Sequence, residues 1–380
     1  MKSRSIIPLF LFLAVYLLIS QSTLAQSYYY IKGKVVDANT GEPLASASVF
    51  AQNTTVGSTT DSAGNFRIKL PEGGYTLVIT YTGYETENLR INQNNAKEDL
   101  TISLSPEEKS LEEVSIVLDL EVKNGWEKYG QFFLNNFIGQ TNYSKACIIK
   151  NPEALHFYFY KKRNTLKVLA KEPLIVENFA LGYTLKFNID SFTNNYDTRT
   201  ALFVGYPLFE EMQGTTAQKN MWLKNRFNIY HGSMLEFMRS LYKKSLADEG
   251  YELKFIIKTP TEEVPITFKD PYSALNFSKD TSGIVTIRPS QNEVAIIYHR
   301  ERPEVAYLVL DPSSNKNFQI STLVFEPGQS LKIEQNGYFY PQEELITNGY
   351  LGFKKIADML PYDYQPLTTI EITERQTTTN

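Results

Sequence analysis

The sequence predicts a mixed fold: a small seven-stranded β-sandwich at the N-terminus, then an α+β domain whose helices pack on an antiparallel sheet. Three observations lead there. Short β-prone runs recur between turn clusters up to about residue 104; a helix-period aromatic stripe opens the following region; and two capped helices then interrupt a second set of β-prone runs. With 42% hydrophobic and 21% charged residues, the composition is that of a globular protein able to bury more than one core.

Residues 1–25 read as a secretory signal. Lys2 and Arg4 precede an apolar run over 6–19, and Thr23-Leu24-Ala25 offers small residues at a cleavage site. As a helix the run rises only ~21 Å, against ~30 Å of hydrocarbon, so cleavage after Ala25 is expected rather than a permanent anchor. No cysteine lies near that site, which excludes a lipid anchor there. No later run reaches spanning length, so the mature chain is expected to have no transmembrane span.

Over 27–104 the strands can be placed one by one. A β-rich run over 28–36 ends at Asp37-Ala38-Asn39-Thr40-Gly41-Glu42-Pro43, and a second run spans 47–51. Asp61-Ser62-Ala63-Gly64-Asn65 turns the chain into Phe66-Arg67-Ile68-Lys69-Leu70, whose apolar residues share one face. Pro71-Glu72-Gly73-Gly74 leads to a strand over 75–81, with Leu77 and Ile79 on one face and Val78 and Thr80 on the other. Two more runs, Leu89-Arg90-Ile91 and Leu100-Thr101-Ile102-Ser103-Leu104, complete a sandwich.

These residues carry a resemblance. Ile31-Lys32-Gly33-Lys34-Val35-Val36-Asp37, Thr40-Gly41-Glu42-Pro43-Leu44, Ala47-Ser48-Val49, Thr60-Asp61-Ser62-Ala63-Gly64-Asn65-Phe66 and Tyr81-Thr82-Gly83-Tyr84 resemble the carboxypeptidase-regulatory-like domain. The resemblance implies a transthyretin-like β-sandwich, a module that extends exported proteins of Gram-negative bacteria, among them outer-membrane transporters driven by TonB. Leu111-Glu112-Glu113-Val114-Ser115-Ile116-Val117 is similar to the β-prone segment that follows the module in such receptors. The remaining residues are too few for the plug and large barrel of such a receptor, and they lack a ladder of ~10-residue membrane strands.

Residues 105–117 form the expected linker, and 118–380 the α+β domain. Trp126, Tyr129, Phe133 and Phe137 fall on one stripe of a helix over 123–138, read as core-facing, with a ligand-stacking platform as the alternative. Thr216 is the expected cap of a helix to Asn228. Ser233, with Glu236 three residues on, has capping-box spacing for a second helix that places Leu235, Met238, Leu241 and Tyr242 on one stripe and ends near Gly250. Strands are expected over 251–257, 283–287, 294–299, 306–310 and 320–325, before a turn at Asn348-Gly349 and a short helical stop over 356–361. A broad group of exported Gram-negative proteins joins this module to an α+β region. The chain resembles it through Phe137-Ile138-Gly139, Pro173-Leu174-Ile175-Val176-Glu177-Asn178, Leu181-Gly182-Tyr183, Tyr230-His231-Gly232-Ser233 and Ile356-Ala357-Asp358-Met359-Leu360-Pro361, and this likeness supplies no site.

The chemistry is sparse. A zinc carboxypeptidase needs two histidines and a glutamate around an open metal position, and none of His156, His231 and His299 has an acidic residue three positions on. His156 reads as a pleated-sheet residue, His231 as a capping or solvent-facing one, and Cys147 as a small hydrophobe rather than a nucleophile. G-x-S-x-G, Walker A and G-x-G-x-x-G patterns are absent. No catalytic, metal or cofactor residue is therefore nominated. The net charge of −4 gives no basic surplus for nucleic acid. The expected protein is non-enzymatic and exported to the periplasm or outer membrane, with secretion an alternative. Its expected role is an interaction or assembly module for an envelope protein, for instance an outer-membrane protein. The alternatives are a carbohydrate-binding protein, with a glycan as ligand and tyrosine, phenylalanine and tryptophan as stacking faces, or a hydrolase with carboxylates hidden among 42 acids.

Overall fold

The computed structural model describes residues 27–95, 99–107, 120–198, 200–342 and 344–367. The expected export signal, the β-prone segment 111–117 and the polar C-terminal end lie outside them.

Seven strands build the N-terminal module: β1 (Tyr28–Asp37), β2 (Ser48–Ala51), β3 (Gly57–Thr59), β4 (Asn65–Pro71), β5 (Tyr75–Thr80), β6 (Glu87–Ile91) and β7 (Leu100–Leu104). They form two sheets, β4-β1-β7 and β3-β2-β5-β6. The β1–β4 pair is antiparallel and the β1–β7 pair parallel. Strand β4 shows the expected alternation, with Phe66, Ile68 and Leu70 buried and Asn65, Arg67 and Lys69 exposed. Strand β5 departs from it: Leu77, Val78 and Ile79 are all fully buried. Val78 and its register partner Phe50 point to the other side of this sheet, which the rest of the chain covers.

The covering is made of specific bonds. The Asn53 N–H donates to the Pro207 carbonyl (2.7 Å) and the Phe209 N–H to the Thr54 carbonyl (2.9 Å), so Thr54 bridges in parallel to Leu208. Asp363 accepts from Thr55, the Tyr362 N–H donates to the Asn53 carbonyl (2.7 Å), and Asn336 donates to the Gly74 carbonyl (3.0 Å).

After the module, α1 (Gly125–Phe137) lies on a six-stranded antiparallel sheet. Its strands are β8 (Cys147–Ile149), β9 (Leu155–Tyr160), β10 (Thr165–Ala170), β11 (Leu174–Asn178), β12 (Tyr183–Asn195) and β13 (Thr200–Glu211). Phe133 and Phe137 are the core of the α1 stripe, stacked at 4.9 Å and met edge-on by Phe192 and Phe187. Helix α2 (Thr216–Tyr230) is capped by Thr215, one residue earlier than expected, because Gln218 completes a capping box with Thr215.

Helix α3 (Met234–Lys243) starts at the expected cap, Ser233. It ends at Lys244, whose left-handed φ of 58° closes the last turn six residues before Gly250. Its Leu235 joins the core shared by the module and the first sheet, while Phe237, Met238 and Leu241 enter a second core. That core lies among β14 (Tyr251–Lys258), α4 (Pro271–Ala274), β17 (Val285–Ile287), β18 (Glu293–Tyr298), β19 (Gln319–Val324) and β20 (Leu331–Ile333). The remaining elements are β15 (Glu263–Ile266), β16 (Ser278–Lys279), β21 (Phe339–Tyr340), β22 (Ile346–Gly349) and α6 (Tyr350–Phe353). They complete the sheets β15-β14-β18-β19-β22 and β16-β17-β20-β21. Among the described residues the α+β region thus holds three sheets. The strand expected over 306–310 is instead helix α5 (Val305–Leu310). Among the described residues its β-prone positions meet no strand partner. The turn is set by Tyr307 packing on Tyr350 (5.2 Å) and Phe353 (5.3 Å), a tertiary contact that overrides propensity.

Candidate functional site

Each histidine is bonded to a glutamate, and the three pairs use different glutamates: His156 Nδ1 with Glu121 (2.6 Å), His231 Nδ1 with Glu236 (2.7 Å) and His299 Nε2 with Glu252 (2.9 Å). Among the described residues no three His, Cys, Asp or Glu side chains converge as a metal-ligand group.

The His231 pair stands on the α2–α3 junction. Gly232, at φ 66°, makes the turn, and Ser233 Oγ accepts from the Glu236 N–H (3.1 Å) as helix cap. Glu236 does not close the box on the Ser233 N–H. Its carboxylate reaches past it to accept from the Gly232 N–H (2.7 Å), the Tyr251 hydroxyl (2.8 Å) and the imidazole. This hydrogen bond to Glu236 raises the His231 pKa above its ordinary value. Nearby, burial pushes the Asp358 carboxyl up to about 6, with Thr141 donating to it (2.9 Å). Burial likewise raises Glu301 and lowers the Lys354 ammonium, which donates to the Gly232 carbonyl (3.2 Å). Chemically this is a buried polar knot that fixes three segments. Ser233 is bonded to a backbone amide rather than to the imidazole, so the relay that activates a serine nucleophile is not assembled.

A separate cleft of about 590 Å³ opens between the start of α1 and β9. Glu121, Trp126, Glu127, Glu153 and His156 line it. The αL residue Asn124 precedes α1, and Gly125 is required because a Cβ there would fall 2.7 Å from the Phe157 side chain. Trp126, expected on the core stripe, is only partly buried and faces this cleft. An aromatic beside carboxylates suits hydroxyl-rich ligands. Sequence reasoning placed His156 in a strand and missed Glu121, its partner 35 positions earlier. Cys147 is half-buried, and burial pushes its thiol to about 12, which makes it a poor nucleophile.

The module presents two unlike surfaces. Its four-stranded sheet is covered by the second region, through the bonds above and through Arg90, which pairs with Glu334. Its three-stranded sheet carries Tyr28, Tyr30 and Lys32 on β1 and Arg67 and Lys69 on β4, with both tyrosines, Arg67 and Lys69 exposed. The family model of the CarboxypepD_reg-like domain matches residues 31–116, the stretch that builds both sheets. Residues 31–116 are a CarboxypepD_reg-like domain.

The match runs past β7 into the stretch read from sequence as a linker. Two curated relatives align with this domain. TonB-dependent receptor P3 of Formosa agariphila is 28% identical over 87 residues, 23% of this chain and 8% of the receptor. TonB-dependent receptor SusC of Bacteroides thetaiotaomicron is 29% identical over 111 residues, 29% of this chain and 9% of the receptor. The chain thus spans less than a tenth of the length of either. A crystal structure of catechol 1,2-dioxygenase from Pseudomonas arvilla C-1 aligns over 23% of this chain and 55% of its own. At 14% identity and a TM-score of 0.19, that likeness carries no argument. Among the described residues no helix is long and apolar enough to cross a membrane.

Proposed function

We propose that this chain is a non-enzymatic exported protein of the bacterial envelope that works by holding another envelope protein. The observation that carries the reading is the mounting of the CarboxypepD_reg-like domain. One sheet is fixed to the α+β region by backbone and side-chain bonds, and the opposite sheet faces outward as a charged surface. The relation of this domain to segments of TonB-dependent receptors supports an envelope setting, with an outer-membrane protein as the partner class. Ser233 is committed to a helix cap and accepts from a backbone amide, which supports a role in binding rather than turnover at that serine.

The test is crosslinking in intact envelopes followed by purification of the full chain. One envelope protein should be recovered in near-stoichiometric amount, with crosslinks to the domain. Recovery of the bait alone, together with hydrolysis of a glycan or peptide library by the purified chain, would contradict the proposal. A second reading, glycan binding, is favoured by one observation, the partly buried Trp126 on the carboxylate-lined cleft.

A further inference from the structure

Residues 354–364 follow α6 with one 3-10 turn, Ile356–Asp358, and otherwise irregular backbone, yet Ile356, Ala357, Asp358, Leu360, Tyr362 and Tyr364 are all buried. They run as a strap across three parts of the molecule. At its start the Ala357 N–H donates to the Ile138 carbonyl behind α1 (3.0 Å), and the Asn178 side chain of β11 donates to the Ala357 carbonyl (3.0 Å). Further along, Arg239 of α3 donates to the carbonyls of Tyr362 (3.0 Å) and Tyr364 (2.9 Å). The Tyr362 N–H then reaches the Asn53 carbonyl of the CarboxypepD_reg-like domain (2.7 Å). One short segment therefore ties the first sheet, α3 and the domain together.

Its charges are held by neutral groups. Asp358, 6% exposed, accepts from the Thr141 hydroxyl (2.9 Å), and Lys354 donates to the Gly232 carbonyl (3.2 Å). A carboxylate buried against a hydroxyl is costly, and taking up a proton removes the cost. Asp358 faces Lys354, Glu304, Tyr143, Cys147 and Tyr350. Lys354 in turn faces Glu301, Glu304 and Glu236, and both Glu301 and Glu236 act on His231. Glu301, raised by burial, and His231, raised by Glu236, also favour the protonated state. Lys354 and Lys355 work in the opposite sense, because burial favours their neutral forms, so the strap is held least firmly between the acid range and the lysine range.

We propose that residues 354–364 are a proton-operated latch, closed under mildly acidic conditions and loosened toward neutral pH, that sets how firmly the domain is held to the α+β region. Asp358 lies four residues before Tyr362, so lifting the acid end of the strap draws on the bond to Asn53. The latch concerns the mount of the domain and is independent of which partner the outward sheet holds.

Hydrogen exchange of the full chain, corrected for the intrinsic pH dependence of exchange, reads the opening at the amides of Ala357 and Tyr362 from about pH 4 to about pH 7.5. Both should exchange ahead of the amides of β4, which marks a local opening. With the Asp358 carboxyl at about 6 when closed and at its ordinary 3.8 when open, their protection should fall by roughly a hundredfold across that range. Asp358→Asn, a stand-in for the protonated acid, should remove the dependence. Thr141→Val takes away a bond that favours the charged carboxyl; it should move the midpoint to higher pH, and serves if the asparagine variant melts early. Protection that does not change with pH, an undiminished dependence in Asp358→Asn, or strap amides that exchange only in step with those of β4 would each overturn the proposal. Opening at Ala357 with none at Tyr362 would sever the link to the domain and overturn it too.

Discussion

Arg90 of β6 and Glu334, which follows β20, form an ion pair across the joint between the domain and the α+β region, with the guanidinium 4.3 Å from the ring centroids of both Tyr338 and Tyr340. The glutamate is buried at 5% exposure, and burial raises its carboxyl pKa while Arg90 opposes the rise. Arg90→Ala leaves that charge uncompensated and should cost about 3 kcal/mol at neutral pH. The sign with pH follows from linkage. A raised carboxyl binds its proton more readily when folded, so the penalty fades as pH falls toward the ordinary glutamate range. Denaturant melts of both proteins at neutral and mildly acidic pH should show the difference narrowing; a constant difference would contradict the assignment.

A second pH effect comes from the buried knot. Asp358 rises to about 6, so its contribution to stability is present at low pH and lost as pH rises from about 4 through 6. The raised His231 acts in the same direction, its contribution lost as pH climbs above the ordinary histidine value. Asp358→Asn should flatten the slope of stability against pH between about 4 and 6, a change of up to about 3 kcal/mol across that window. An unchanged slope in the variant would show that Asp358 does not titrate there.

Glu236 should outweigh its own helix cap. Ser233→Ala removes one cap bond and should cost about 1 kcal/mol. Glu236→Ala strands the Gly232 N–H and the buried Tyr251 hydroxyl, and should cost about 2–4 kcal/mol. Thermal melts rank the two. Labelling of Ser233 by a fluorophosphonate, lost in His231→Ala at unchanged stability, would instead make this a catalytic serine.

How much of this was readable beforehand depended on distance along the chain. The module was legible because Phe66, Ile68 and Leu70 alternate with Asn65, Arg67 and Lys69 within one strand. The cap at Ser233 was legible for the same local reason. Val78 was not, since its burial comes from a surface supplied by residues far downstream. Arg90 and Glu334 are 244 positions apart and His156 and Glu121 35 apart, so neither pair leaves a local signal. Helix α5 was misread because Val305 and Val309 are β-prone and exposed, while Tyr307 is its one buried residue.

The domain should fold alone but less stably than in place. Its own core includes Ile31, Val49, Leu77 and Ile102, while Phe50 and Val78 become exposed when the second region is removed. A fragment of residues 27–107 should melt cooperatively, at a temperature below the full chain's. A broad, non-cooperative melt would mean that the second region completes its core.

The most direct test of the account places a photo-crosslinking benzoylphenylalanine at Thr101, exposed on the outward sheet, and separately at Gln52, beside the covered sheet where its side chain reaches the Gly205 carbonyl. After illumination of intact envelopes, the Thr101 probe should join the chain to one defined envelope protein and the Gln52 probe should crosslink within the chain. Intermolecular products from Gln52 with none from Thr101 would contradict the claim that this chain acts by binding through its outward sheet.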